Sequence, residues 1–388
     1  MIKIIKYILI FSIIFNVINA NAQLISKEKK DSLKNKFKRI NNKAYRVMQI
    51  IPAPIITYAS ETSWVFGLAK FQGYDINKKD TISRASSVSA TAAMSLYEQM
   101  YVVVSNTTYF GQNKNILSAS FKYKIYPRLW YLYNAKSETE DYYEMVTTHF
   151  VSIPVKYLRQ IKPKYYLGIN YNYDDYFKIN YEKGGILEGY NFYGKNGGIN
   201  SGLGFIAQYD SRDNRFTSYS GTFINIEGTY YSNAIGSDYE FNKYLFDFRT
   251  FKKVKKLIIG YQFYHETIFG DVPFYNLSQL GGSFRMRGFY YGQIRDKVLF
   301  DTQTEVRTHL FWLISGTAFI GAGTVAPDYN TIEKTFSDQR LLYSYGTGIR
   351  LTVDPVHRIN IRLDLAFGYD QYLQRNHQAL FFGFSEAF

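Results

Sequence analysis

Arg358-Ile359-Asn360-Ile361-Arg362-Leu363-Asp364-Leu365-Ala366-Phe367-Gly368-Tyr369-Asp370 alternates strictly: odd positions are apolar or aromatic, while even positions carry Arg358, Asn360, Arg362, Asp364 and Asp370. A strand sends successive side chains to opposite faces, so this segment has one apolar face and one charged face. Tyr165 to Asp174 repeats the split, with Leu167, Ile169, Tyr171 and Tyr173 opposed to Gly168, Asn170, Asn172 and Asp174. Asp301, Gln303, Glu305, Arg307 and His309 likewise share one face of a third segment. A soluble sandwich also alternates. Its polar face, however, is ordinary surface, whereas here the apolar faces are rich in tyrosine and the polar faces unusually charged. Lipid outside and a wet, charged lumen inside account for both.

Segments of this kind fall near 54–58, 63–71, 83–95, 98–108, 114–125, 141–156, 163–176 and 197–209, then 219–232, 238–251, 255–267, 298–310, 312–324, 341–354, 357–370 and 378–388. The pattern predicts an all-β, transmembrane antiparallel barrel over 52–388, with about sixteen strands, an even number as single-chain bacterial barrels have. In the last segment Leu380, Phe382, Phe384 and the final Phe388 share one face. A terminal aromatic of this kind resembles the signal by which bacterial outer-membrane barrels are recognised for assembly.

The beginning of the chain reads differently. Lys3 and Lys6, the apolar run from Tyr7 to Ile18 and the triplet Ala20-Asn21-Ala22 predict a secretory signal over 1–22, cleaved before Gln23. A membrane anchor is the rival, but spanning takes about 20 predominantly apolar residues, and Ser12, Asn16, Asn19 and Asn21 interrupt this run. Residues 23–51 are basic, and Leu33, Phe37, Ile40, Ala44 and Val47 recur at helical spacing. They read either as a short amphipathic helix on the periplasmic side, with Lys34, Lys36, Lys38 and Arg39 toward lipid phosphates, or as a solvated linker.

With no cysteine, disulfides, lipoprotein acylation and thiolate metal sites are excluded. The sequence is 46% hydrophobic and 19% aromatic, with 38 Tyr and 31 Phe, yet has no long uncharged apolar run after the signal. The charge of +14 becomes +12 without Lys3 and Lys6, from 44 basic against 32 acidic residues. Export and the lack of a nucleic-acid motif turn that excess toward the anionic head groups of outer-membrane lipid and lipopolysaccharide, and no nucleic-acid partner is expected. No metal or other cofactor is expected. The five histidines, His149, His265, His309, His357 and His377, sit in no nucleophile or metal motif, so an enzyme is not expected. His309 is expected in a lumen network with Glu305 and Arg307.

One connection is much longer than its neighbours. Between Gly270 and Lys297 runs Leu280-Gly281-Gly282-Ser283-Phe284-Arg285-Met286-Arg287-Gly288-Phe289-Tyr290, aromatic and with glycines suited to sharp turns. Arg287-Gly288-Phe289 resembles the signature loop motif of the BamA/TamA superfamily of outer-membrane assembly and transport barrels, also called the bacterial surface antigen family. Tyr209-Asp210-Ser211-Arg212-Asp213-Asn214 followed by Gly221 resembles that family's Asp-x-Arg-Asp-Asn stretch. Tyr343 to Arg350 and Arg362 to Ala366 resemble its penultimate strands, and Pro54 to Gly67, with Tyr58, Glu61 and Thr62, the start of its barrel. The resemblance implies a loop folded into the lumen, whose arginine meets acidic groups on the inner wall.

Two departures stand out. Where the family usually has an aspartate, two residues after a Phe and two before a Gly, this chain has Gly321 in Phe319-Ile320-Gly321-Ala322-Gly323. Arg287 therefore needs another partner, and the period-two count offers Glu305 and Asp364; otherwise it meets only water and carbonyls. The family's assembly members also carry periplasmic POTRA domains, and 23–51 is too short for one, autonomous domains generally needing more than about 40 residues. This puts independent substrate capture in doubt.

The resemblance implies insertion or assembly of outer-membrane proteins, possible clients being nascent barrels or a larger assembly complex, through a weak seam between the first and last strands. Pro52 and Pro54 lack donors where the short first strand begins, which predicts poor pairing with the last strand and its Phe388; alternatively the prolines merely precede the strand. A plugged translocation or solute pore, and a structural partner of an assembly machine, are the competing readings.

Overall fold

The structure, a computed structural model, describes Ser32 and residues 52–59, 62–77, 80, 83, 86–131, 143–331, 341–354, 358–371, 374–384 and 386–388. The signal peptide expected over 1–22 and, apart from Ser32, the basic segment 23–51 lie outside the described residues.

Sixteen strands of the described residues close into one antiparallel barrel. The first eight are β1 (Ala53–Ala59), β2 (Ser63–Tyr74), β3 (Ser86–Ser95), β4 (Met100–Phe110), β5 (Asn115–Tyr131), β6 (Tyr143–Lys162), β7 (Tyr165–Tyr181) and β8 (Gly198–Asp210). Then come β9 (Gly221–Tyr231), β10 (Phe241–Val254), β11 (Leu257–Gly270), β14 (Val298–Phe311), β15 (Ile314–Ala326), β16 (Leu342–Asp354), β17 (Ile359–Asp370) and β18 (Arg375–Phe384). Two short strands, β12 (Ser278–Leu280) and β13 (Ile294–Asp296), pair only with each other, inside the long connection between β11 and β14. Each wall strand bonds its sequence neighbour, and β1 meets β18 to close the ring.

Burial along β17 inverts that of a soluble protein: Leu363 is 42% exposed, while its neighbours Arg362 and Asp364 are 3% and 0% exposed. Apolar side chains face outward and charged ones inward, because lipid can solvate the first and only the lumen can solvate or pair the second.

The two ends of the barrel differ. At the near end, where β1 starts and β18 finishes, two-residue turns join β6–β7, β10–β11 and β14–β15, with Lys164, Lys255 and Trp312 at φ 72°, 54° and 51°. The longest connections lie at the far end: 271–297 and 182–197, the latter with the single-turn helix α1 (Ile186–Gly189).

Two expectations need correcting. The last strand does not run to Phe388. It stops at Phe384, and Glu386, Ala387 and Phe388 are buried inside the barrel rather than on its lipid face or its seam. His309 is exposed, outside the network of Glu305 and Arg307: it stands two residues from the end of β14, at the near-end mouth of the barrel.

Candidate functional site

The connection 271–297 folds into the lumen. Its β12–β13 ribbon brings Leu280 opposite Ile294, and Gly281, Gly282 and Gly288 take φ of 103°, 96° and 117°, open only to glycine at low cost. A Cβ on Gly288 would stand 2.5 Å from the backbone of Phe367 and Gly368, so the loop touches the wall main chain to main chain. Phe289 is fully buried with Leu280, Met286, Ile294, Leu299 and Leu342, its ring lying over Gly368. A small apolar core thus holds the loop against β14, β16 and β17.

Beside that core, Arg287 is wholly buried. Its Nη2 donates to Glu305 Oε2 at 2.6 Å and its Nη1 to Asp364 Oδ2 at 3.0 Å. Its guanidinium lies 3.4 Å from the centroid of the Phe319 ring, and its backbone carbonyl accepts from the Ser344 hydroxyl. Glu305 also receives Arg307 Nε at 2.7 Å, and Asp364 receives Arg350 Nη1 at 2.5 Å. Arg350 Nε reaches Glu386 at 2.6 Å, Asn360 donates to the same carboxylate at 2.7 Å, and Arg362 stands 3.7 Å from Asp364. Four guanidiniums thus interleave with three carboxylates. Arg287, Arg307 and Arg350 are each hydrogen-bonded to a carboxylate, as charges so deeply buried require, whereas Arg362 stands near Asp364 with its Nε and Nη1 unspent.

Gly321 sits under the loop, where a Cβ would meet Met286 Sδ at 3.6 Å and Gln303 Cβ at 3.3 Å. The thioether of Met286 thus lies in van der Waals contact with the point where a side chain at 321 would begin. A neighbouring pair repeats the theme: Arg285 donates to Asp301 at 3.0 Å and stacks on Tyr264 at 3.4 Å. Burial alone would lower the Arg285 pKa, but Asp301, Tyr264, Glu266 and Tyr291 together outweigh burial and hold it above the ordinary arginine value.

The near end is closed from below. Phe388 stacks on Phe251 with ring centroids 5.8 Å apart, and its carbonyl accepts from Arg307 Nη2 at 3.1 Å. Asp213, in the connection 211–220, receives Arg358 Nη1 at 2.5 Å, and Thr217 Oγ1 donates to the Arg358 carbonyl at 2.7 Å. Burial pushes the Asp213 carboxyl up, but the Arg358 guanidinium and the backbone amides of Tyr219 and Ser220 outweigh it and hold it below the usual range.

At the seam, β1 pairs with β2 from Ala53↔Ala69 through Ala59↔Ser63, and β18 with β17 from Asp370↔Arg375 to Ile361↔Phe384. Between β1 and β18, one register pair occurs among the described residues, Tyr58↔Phe382. Pro52 precedes β1, whereas Pro54 lies within it, opposite Leu68 of β2. The seven residues of β1 are too few to match β18 along its length.

Sequence reasoning singled out Arg287, Gly288, Phe289, Glu305 and Asp364, and the structure brings all five together. Pro52, Pro54 and Phe388 are not brought together: the first two stand at the seam and the third in the lumen. Arg307, expected in a lumen network with Glu305, is in it; Arg350 and Glu386 were missed. The parity of β16 places Arg350 on the lumen face, and that signal was available. Among the described residues no group of three or more His, Asp and Glu could hold a metal ion.

A model of the Omp85 superfamily domain matches residues 83–388. The fold is similar to BamA from Haemophilus ducreyi lacking POTRA domains 1–3, with TM-score 0.57 and 16% identity over 85% of this chain and 69% of that one. It is similar also to CdiB from Acinetobacter baumannii, with TM-score 0.56 and 11% identity over 86% and 58% of the two chains. For CdiB from Escherichia coli the TM-score is 0.55 and the identity 9%, over 84% and 61%. This chain therefore spans less than two thirds of either CdiB chain. No curated protein matches it. At such identities the likeness is one of fold.

Proposed function

The chain belongs to the Omp85 superfamily, and from that premise we propose that this bacterial outer-membrane barrel assists the insertion or assembly of other outer-membrane proteins through the seam between β1 and β18. The observation that carries the proposal is the pairing there: Tyr58↔Phe382 alone among the described residues, beside continuous ladders on both flanks. A seam so weakly bonded exposes unpaired N–H and C=O groups, and an incoming strand satisfies them by adding to the edge.

The loop supports this reading. It is anchored on Glu305 of β14, Phe319 of β15, Ser344 of β16 and Asp364 of β17, and Glu386 extends the bracing to the residues after β18. One flank of the seam is thus held rigid from inside. The other, β1, is short and braced by its hairpin partner. Opening then needs only β1 to move.

The short turns of the near end put it on the periplasmic side and the longer far-end loops outside, the usual polarity of such barrels. The outward apolar band contacts outer-membrane lipid and lipopolysaccharide. The test is reconstitution: purified barrel in lipid vesicles accelerates the folding of an unfolded barrel substrate over empty vesicles. Equal rates reject the insertase reading and leave the barrel untouched.

A second reading, a plugged translocation pore, draws on a lumen cavity of about 370 Å³ between the loop and the near-end closure, lined by Arg215, Arg249, Arg285, Phe284 and Phe388. Steady conductance in planar bilayers that Arg287→Ala leaves unchanged would favour it.

A further inference from the structure

The lumen arginines of the loop and its surroundings are matched to carboxylates: Arg285 to Asp301, Arg287 to Glu305 and Asp364, Arg307 to Glu305, Arg350 to Asp364, and Arg249 to Asp247. Two arginines nearer the far end break the rule. Arg128, on the lumen face of β5, is 8% exposed, and Arg295 lies in β13 of the lumen ribbon. Both guanidiniums pack on one buried indole, 4.5 Å and 3.6 Å from the centroid of Trp130. Neither makes an ion pair among the described residues.

Their hydrogen bonds go to neutral acceptors: Arg128 Nη1 to Gln279 Oε1 at 2.9 Å, and Arg295 Nη2 to the carbonyl of Gly292. Arg128 Nε, Arg295 Nε and Nη1, and Trp130 Nε1 are buried without any acceptor. Two like charges held together out of water, with donors unspent, are costly unless an anion joins them. Burial, then the neighbouring Arg128, pushes the Arg295 pKa well below its ordinary value, which expresses the same strain.

We propose that Arg128, Arg295 and Trp130 form a binding site for an oxyanion of the phosphate class. Guanidinium forks match phosphate oxygens bidentately, and two forks on one anion need more acceptor oxygens than a single carboxylate presents. Arg295 is only partly buried, and Tyr291, four residues before it, is 41% exposed, so the pair is approached from the far end. The phosphate comes either from a lipid head group or from solution.

The test follows the thermal unfolding of the purified full chain in neutral detergent. It is titrated with inorganic phosphate against sodium chloride at matched ionic strength, and separately with phosphatidylglycerol in mixed micelles. Inorganic phosphate raises the unfolding temperature saturably. Arg128→Gln and Arg295→Gln each weaken its apparent affinity by at least about tenfold. Arg159→Gln, at an exposed near-end position, leaves it unchanged. In phosphate-free buffer Arg295→Gln unfolds no earlier than the parent, because it removes an unpaired buried charge; a merely structural arginine would show the opposite. Arg295→Lys, which keeps the charge without the fork, also weakens phosphate binding and serves if the glutamine variant does not fold. An effect reproduced by phosphatidylglycerol assigns the site to a lipid head group, and one confined to inorganic phosphate assigns it to the free ion. The proposal is overturned by a response to phosphate no greater than to chloride, or by a saturable response that the Arg128 and Arg295 substitutions leave intact.

Discussion

Asp364 of β17 accepts Arg287 Nη1 at 3.0 Å, so the long loop is tied to a wall strand one removed from the seam. With Glu305 on β14 gripping the same guanidinium, the loop spans four consecutive strands from inside and fastens them as one plate. Arg350 carries the fastening on to Glu386, beyond the end of β18.

Removing the shared cation leaves two buried carboxylates short of a partner. Loss of one member of a buried network costs about 3–5 kcal/mol. Arg287→Ala should therefore still form a barrel but lose its heat-resistant mobility on native gels at a lower temperature than the parent. Unchanged heat resistance would contradict the anchoring role.

The main-chain contact at Gly288 admits no side chain. Gly288→Ala would force a left-handed φ of 117° on a residue with a Cβ 2.5 Å from Gly368 N, strain of the order of 1–3 kcal/mol. Protease protection of the loop in intact vesicles should fall for this variant, while Gly383→Ala, where a Cβ meets nothing, should behave as the parent.

At the near end the Asp213–Arg358 pair titrates. The folded pKa of Asp213 is depressed, so its stabilisation is present above the unfolded value near 3.8 and is lost as pH falls through the folded value. Both side chains are about 30% exposed, at 28% and 32%, so the effect is below about 1 kcal/mol. Amide exchange over 213–220, corrected for its intrinsic pH dependence, should quicken below about pH 4 in the parent. In Asp213→Asn it should be fast and flat with pH; identical profiles would remove the pair from the account.

Glu386 shows where the sequence was legible and where it was not. The alternation at Leu363 and Asp364 fixes strand and facing together, because a charge turned toward lipid is costly, and so all sixteen wall strands were readable. The same rule holds the warning that went unused: Glu386 shares parity with Leu380, Phe382 and Phe384, so a strand continued to Phe388 would present a carboxylate to lipid. Ending the strand lets Glu386 turn inward to Arg350. Glu305 and Asp364 were nameable as partners of Arg287 once the family resemblance put the loop in the lumen, since parity places both on inward faces. The Arg128–Trp130–Arg295 cluster was not, because it joins residues far apart in sequence through the path of a loop whose conformation no periodicity encodes.

The proposed route of insertion is the seam between Tyr58 and Phe382. The chain has no cysteine, and these two residues are directly paired across antiparallel strands, so Tyr58→Cys with Phe382→Cys can be joined by oxidation. The double variant should be assayed in vesicles for folding of an unfolded barrel substrate, oxidised and then reduced. Oxidation should abolish the acceleration over empty vesicles, and reduction should restore it. Equal acceleration by the locked and the reduced barrel would show that the seam does not open in function and would rule out insertion through it.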